Sequence, residues 1–193
     1  MIFQKSGLKG EIETTLPIEK ISVSNQGIVS AILKNESTPQ IISYDAVGNI
    51  LVEHQVNLNS TGYPISLDMS ADGENLMVSY LSTKNGTLKS MVAFYNFGKE
   101  GQEKTDNLIY TEDFEQTVVP DVFYMDASTS VAVGDKSFVI YEGTKSVKKK
   151  TEVKLNQEIR SEFHSDRYDS GLFLRIKINQ DMKCSFMIKR ENR

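Results

Sequence analysis

His164-Ser165-Asp166 holds the three residue types that a hydrolase uses as base, nucleophile and orienting acid. A working triad converges from distant segments, and adjacency along the chain is a poor sign of one. No Gly-x-Ser-x-Gly elbow is present to offer the serine to a substrate. These residues read instead as a strand end entering a turn at Ser165-Asp166. Asp68-x-Ser70-x-Asp72-Gly73 opens with the spacing of a calcium loop. Its twelfth position is Ser79, where a bidentate Glu is required, so a turn explains it better. With two histidines and one cysteine, no His/Cys metal cluster can form, and Cys184 has no partner for an internal disulfide. An all-carboxylate site has no specific support. The residues therefore assign no catalytic, cofactor-binding or metal-binding group and imply no cofactor.

Other groups have structural readings. His54 lies on the apolar side of its strand and is expected to be half-buried and hydrogen-bonded. Lys148-Lys149-Lys150, with Lys145 and Lys154, is the basic run of the chain. Lysines on an exposed outer strand discourage pairing with foreign sheets, which explains them better than an anionic partner does. Asn35-Glu36-Ser37, Asn59-Ser60-Thr61 and Asn85-Gly86-Thr87 match the glycosylation acceptor pattern, but such triplets arise by chance in Asn- and Ser-rich turns. Tyr44, Tyr95 and Tyr141 form a spaced stripe suited to packing between repeats.

Composition narrows the partners. The net charge is −4, and hydrophobic and charged residues make up 39% and 25% of the 193 residues, as in an ordinary folded domain. That balance argues against nucleic acid and against anionic lipid surfaces. No apolar run approaches the roughly 20 residues of a membrane span. The first twenty residues lack the apolar core of a signal peptide, so the sequence as it stands is expected to be soluble and without an export address.

The elements that must position any site are strands. Short runs of Val, Ile, Leu, Phe and Tyr alternate with Gly, Asn, Asp and Ser clusters, and helical periodicity is nearly absent. Three markers recur in order. A proline (Pro17, Pro64, Pro120) precedes a short strand. A turn follows (Ser24-Asn25-Gln26-Gly27, Ser70-Ala71-Asp72-Gly73, Asp126-Ala127-Ser128-Thr129). A β-rich strand then ends at Tyr44, Tyr95 or Tyr141. Turn-to-turn steps of 46 and 56 residues, and Tyr-to-Tyr steps of 51 and 46, suit four-stranded repeats.

The pattern predicts an all-β chain of β-propeller blades: three complete four-stranded antiparallel blades over 18–58, 65–116 and 120–155, with partial repeats at 1–16 and 159–193. Strands are expected at 18–23, 27–33, 40–44, 50–58, 76–81, 88–95, 131–133, 137–141 and 171–178, with no helix beyond about two turns. Ile2–Gly7 reads as the end of a third strand and Leu8–Thr15 as an outer one. Asn85-Gly86 reads as a two-residue hairpin turn, and 96–107 as an extended, mobile loop. The chain starts in mid-repeat, as though cut from something longer. An open arc is expected, with apolar surface beside Val29 and Phe173 and a tendency to self-associate. A closed four-bladed ring is the alternative, and it would pair Phe3–Gly7 with Gly171–Ile178.

Ser70-Ala71-Asp72-Gly73 resembles the Ser-Pro-Asp-Gly turn of TolB-like and other WD-like propellers. LKGEIETTLPIEKISVSNQGIVSAIL and STGYPISLDMSADGENLMVSYLS resemble an uncharacterised propeller family of Gram-positive anaerobic bacteria, a domain of unknown function. The resemblance covers nearly the whole chain. It implies an extracytoplasmic propeller, tethered by a membrane anchor in longer members, and it supplies no catalytic residues. The chain has no tryptophan, so it departs from WD repeats proper and from quinone-cofactor propellers. The function expected is a non-catalytic module that binds or scaffolds a protein or glycan partner. A propeller enzyme with its site at the inner-strand ends is the alternative. The inner strands Ile21-Ser22-Val23, Leu67-Asp68-Met69 and Phe123-Tyr124-Met125 offer mainly Asp68 for such chemistry.

Overall fold

A computed structural model of the chain describes residues 7, 11–83 and 86–154 and the backbone of 2–4, 8–10, 161–168, 171–177 and 183–189. β1 (Ile2–Gln4) and β2 (Gly7–Gly10) form an antiparallel pair. The outer strand expected over 8–15 stops at Gly10. Ile12 and Leu16 are drawn onto Ala31, Leu33, Ile42 and Tyr44, so residues 11–17 cross the next sheet as a strap.

That sheet, blade 1, runs in the order β3 (Ile18–Val23), β4 (Val29–Leu33), β5 (Gln40–Tyr44), β6 (Ile50–Gln55). Its turns are closed by side chains. Ser24 Oγ accepts the N–H groups of Gln26 and Ile28 at 3.2 and 3.1 Å, and Asp45 Oδ1 accepts those of Val47 and Asn49 at 3.0 and 2.8 Å. β6 ends before the expected Leu58. The Val56 N–H bonds Pro39 O at 2.8 Å, and its side chain turns into the core between blades 1 and 2.

Blade 2 contains β7 (Tyr63–Met69), β8 (Asn75–Ser82), β9 (Lys89–Asn96) and β10 (Leu108–Glu115), and blade 3 contains β11 (Asp121–Tyr124), β12 (Thr129–Val133), β13 (Ser137–Glu142) and β14 (Lys148–Lys154). Ser82 pairs with Lys89, so six residues join β8 to β9 in place of a two-residue turn. Leu88 O accepts the Gln116 N–H at 2.9 Å, which takes residue 88 out of that ladder; Asn85 lies outside the described residues. The 96–107 segment contains a one-turn helix, α1 (Lys99–Gln102). Asn96 anchors it: its Oδ1 accepts the Gly101 N–H at 3.2 Å, and its backbone oxygen accepts Asn107 Nδ2 at 3.1 Å.

β15 (Ser161–Tyr168), β16 (Gly171–Lys177) and β17 (Lys183–Lys189) form a three-stranded sheet. Ser165 and Asp166 sit inside β15, paired with Leu174 and Phe173, and form no turn. Pairing along the whole length of β16 overrides the local turn preference of Ser-Asp. The side chains of His164 and Phe173 lie outside the described residues.

β1 pairs with β2, and β16 with β15 and β17. Among the described residues, Phe3, Gln4 and Gly7 therefore do not pair with Gly171–Lys177, and the blades stand in an open arrangement. Among the described residues no helix is long and apolar enough to cross a membrane.

The core lies between blades. Ile32, Ile41 and Val56 of blade 1 and its exit pack on Leu67, Met69, Tyr80 and Tyr95 of blade 2. Met77, Val92 and Phe94 of blade 2 pack on Val122, Tyr124, Val139 and Tyr141 of blade 3. The Phe94 and Tyr141 rings meet edge-on at 4.9 Å, and the Tyr80 and Tyr95 hydroxyls hydrogen-bond at 2.6 Å. Tyr44, Tyr95 and Tyr141 each occur where the third-to-fourth strand register shifts, and all three are buried. At the turns, Asn25 N–H donates to Ala71 O at 2.9 Å, and Gly73, at φ +79°, leaves room for Ile28 and Ser24.

Candidate functional site

The inner strands bring together the polar groups nearest to a site. A register shift between Ile18 and Lys20 in β3 recurs between Pro64 and Ser66 in β7. It aligns Lys20 with Ser66 and Ser22 with Asp68. In blade 3, Asp121 takes the place of Lys20 and Ser66. The three side chains meet: Lys20 Nζ donates to Ser66 Oγ at 2.7 Å and to Asp121 Oδ1 at 3.0 Å, and Ser66 Oγ donates to Asp121 Oδ1 at 2.8 Å. One turn of the pleat along, Ser22 Oγ donates to Asp68 Oδ1 at 2.7 Å and accepts the Met69 N–H at 3.0 Å. Asp68 Oδ2 accepts the Tyr124 N–H at 2.7 Å. Burial, and after it the Asp68 carboxylate, raises the Tyr124 phenol well above its ordinary pKa.

A serine between a lysine and an aspartate has the composition of a nucleophile with its base. The geometry makes it a strut. A hydroxyl has one proton to donate and two lone pairs. Ser66 gives its proton to Asp121 and accepts from Lys20 Nζ and from the Val122 N–H at 3.3 Å, so no lone pair is left to attack a substrate. Ser66 is also 0% exposed. The bonds from Ser22, Ser66 and Asp68 satisfy backbone N–H groups on the inner edges of β7 and β11, which no neighbouring strand reaches.

Other candidates resolve into structural roles. Ser70 Oγ and Asp72 bond each other at 2.5 Å within their turn, while Asp68 faces blade 3. His54 is half-buried on β6, with its ring centroid 6.4 Å from that of Tyr95 and its Nδ1 3.9 Å from Asp106 Oδ2. Of the basic run, Lys149 bridges Glu112 at 2.9 Å and Glu152 at 2.7 Å, Lys150 pairs with Glu142, and Lys145 with Glu100. Reading the sequence missed Lys20, Ser66 and Asp121. Their signal is position alone, immediately before the apolar residues Ile21, Leu67 and Val122, because the three are of different types.

A search of curated proteins finds no match. The β-propeller domain of the Trilobed protease from Pyrococcus furiosus, described as having an open velcro topology, is 12% identical, covering 91% of this chain and 56% of that one, with a TM-score of 0.52. Acylaminoacyl peptidase from Pyrococcus horikoshii is also 12% identical, covering 90% of this chain and 31% of that one, with a TM-score of 0.55. This chain spans from 30% to 56% of the solved chains it resembles. At such identities the likeness shows the propeller fold. The family model of DUF5711, a family of unknown function, matches residues 1–183, and the chain belongs to that family.

Proposed function

We propose that the chain is a non-catalytic propeller module for binding or scaffolding, carried by a cell-envelope protein as the sequence resemblance implies. One observation carries the reading: the polar groups converging at the inner strands are used up in holding blades together. Ser66 has no free valence, and both Asp68 oxygens accept bonds from neighbouring blades. Several large apolar residues are exposed, among them Ile21, Val23, Val47, Ile50 and Leu51. Apolar exposure of that kind suits a protein contact.

The test offers purified protein fluorogenic esters, peptide amides, glycosides and phosphomonoesters, with and without divalent cations. No turnover above buffer is expected. Turnover abolished by Ser66→Ala or Asp68→Ala, in variants that keep their strand circular dichroism, overturns the reading.

A further inference from the structure

We infer that His54 and Asp106 form a pH-sensitive latch, which fastens the 96–107 segment of blade 2 onto the outer strand of blade 1 when the imidazole is charged. This goes beyond the binding reading above and does not depend on it.

Blades 1 and 3 pass from third to outer strand in a short turn, whereas blade 2 makes an excursion through α1 and a tight turn at Thr105–Asn107. Asp106 and Asn107 both take left-handed backbone there, at φ 55° and 60°. Two successive non-glycine residues in that region are costly and persist only where surrounding contacts hold them. The contacts on the two sides of the excursion differ in kind. Toward blade 3, Glu100 pairs with Lys145, whose hydrogen bond holds the Glu100 carboxyl below its ordinary range, so this tie persists through neutral pH. Toward blade 1, the ionic contact is His54 Nδ1, 3.9 Å from Asp106 Oδ2. Imidazole is the side chain that gains and loses its charge between about pH 5 and 8. One tie is therefore fixed and the other switchable.

The surroundings leave the switching to this pair. His54 is opposite the apolar Ile41 of β5, and its neighbours Glu53 and Gln55 alternate to the other side of β6. From β9 it meets Tyr95, with ring centroids 6.4 Å apart. Burial, and in smaller part the Asp106 charge, pushes the Tyr95 phenol up to about 12 against the hydrogen bond from Tyr80, so Tyr95 stays neutral. Among the described residues no other charged group lies within ion-pairing distance of His54 or Asp106. With a neutral ring the left-handed pair is held by Asn107 Nδ2 donating to Asn96 O at 3.1 Å, without ionic help. With a charged ring the carboxylate is drawn to blade 1. A partly exposed ion pair shifts such an equilibrium about two- to five-fold.

Amide exchange of the full chain, corrected for the intrinsic effect of pH on the chemistry, tests this. The Lys104 and Asn107 amides, bonded to Gly101 O and Lys104 O, are compared with the Ser70 amide, bonded to Asn75 O in the same blade. Their relative protection should be about two- to five-fold greater at about pH 5.5 than at about pH 8. Asp106→Asn, at a side chain 59% exposed and with a residue that tolerates left-handed backbone, should abolish the difference. His54→Gln should abolish it too, and His164→Gln, at the other histidine of the chain, should leave it unchanged. Protection independent of pH, a change of the opposite sign, a difference that survives Asp106→Asn or His54→Gln, or one lost in His164→Gln overturns the latch.

Discussion

Removing the Asp68 carboxylate tests whether inner-strand side chains, rather than apolar contact alone, bind one blade to the next. Asp68 accepts from Ser22 Oγ of blade 1 and from the Tyr124 N–H of blade 3, both at 2.7 Å. A hydrogen bond to a charged group contributes about 1.5–3 kcal/mol, and a buried donor left unpaired adds a desolvation cost. Asp68 is half-buried, which places the expected loss for Asp68→Ala near the lower end for two bonds, about 3 kcal/mol. That corresponds to roughly a hundred-fold change in the unfolding equilibrium. Asp68→Asn keeps one carbonyl acceptor and loses the charge, so about half of that loss is expected. Urea unfolding followed by circular dichroism gives the total, and amide exchange at Tyr124 gives the local part, which should lose its protection in the Ala variant. A loss below about 0.5 kcal/mol, the range of an ordinary surface substitution, with Tyr124 still protected, would refute the strut.

Leu67→Asp should cost about 4 kcal/mol or more, because it buries an unpaired carboxylate at a position 2% exposed, whereas Val23→Asp in the isolated chain should cost under about 1 kcal/mol; thermal denaturation of the two variants compares them. Tyr80→Phe and Tyr95→Phe should each cost about 1–2 kcal/mol by orphaning the other hydroxyl, and the double variant should cost less than their sum; a double-mutant cycle reads this. Gly73→Ala places a Cβ 2.7 Å from Ile28 Cδ1 at a φ of +79°, so it should destabilise the contact between the first two blade turns, visible as faster exchange of the Asn25 amide. Burial opposes ionisation of Asp126, but hydrogen bonds from Ser128 and Thr129 outweigh it and hold the carboxyl below its ordinary range. Its contribution is therefore present above the unfolded carboxylate pKa of about 4 and lost as pH falls through its lower folded value, and Asp126→Asn should flatten that acid limb of a pH–stability profile.

The blades were legible because an apolar position repeats by type: Ile21, Leu67 and Val122 announce an inner strand, and Tyr44, Tyr95 and Tyr141 mark each third strand. The hub was not, because Lys20, Ser66 and Asp121 share a place and no chemistry, so only the folded register reveals that they complement one another. Ser165-Asp166 misled for the opposite reason. Its residue types favour a turn, and only their partners nine and seven positions further along the chain, Leu174 and Phe173, show that the segment is extended. Asn85-Gly86 located a connection correctly but not its length, which Leu88 sets by bonding Gln116 outside the hairpin. Openness was read from strand bookkeeping, and its chemical expression came from exposure at Ile21 and Val23, which lie on the Val29 face.

Repeat arrays ordinarily unfold like a chain of dominoes, because each unit touches only its neighbours and an end unit can fray alone. The Lys20 ammonium breaks that rule. It reaches past blade 2 to the Asp121 carboxylate of blade 3, with Ser66 between them. Blade 1 cannot peel away without also releasing a charge two units distant. Fraying and breakage are thereby coupled across three repeats, and unfolding of the arc should be steeper than a nearest-neighbour sum of its interfaces allows.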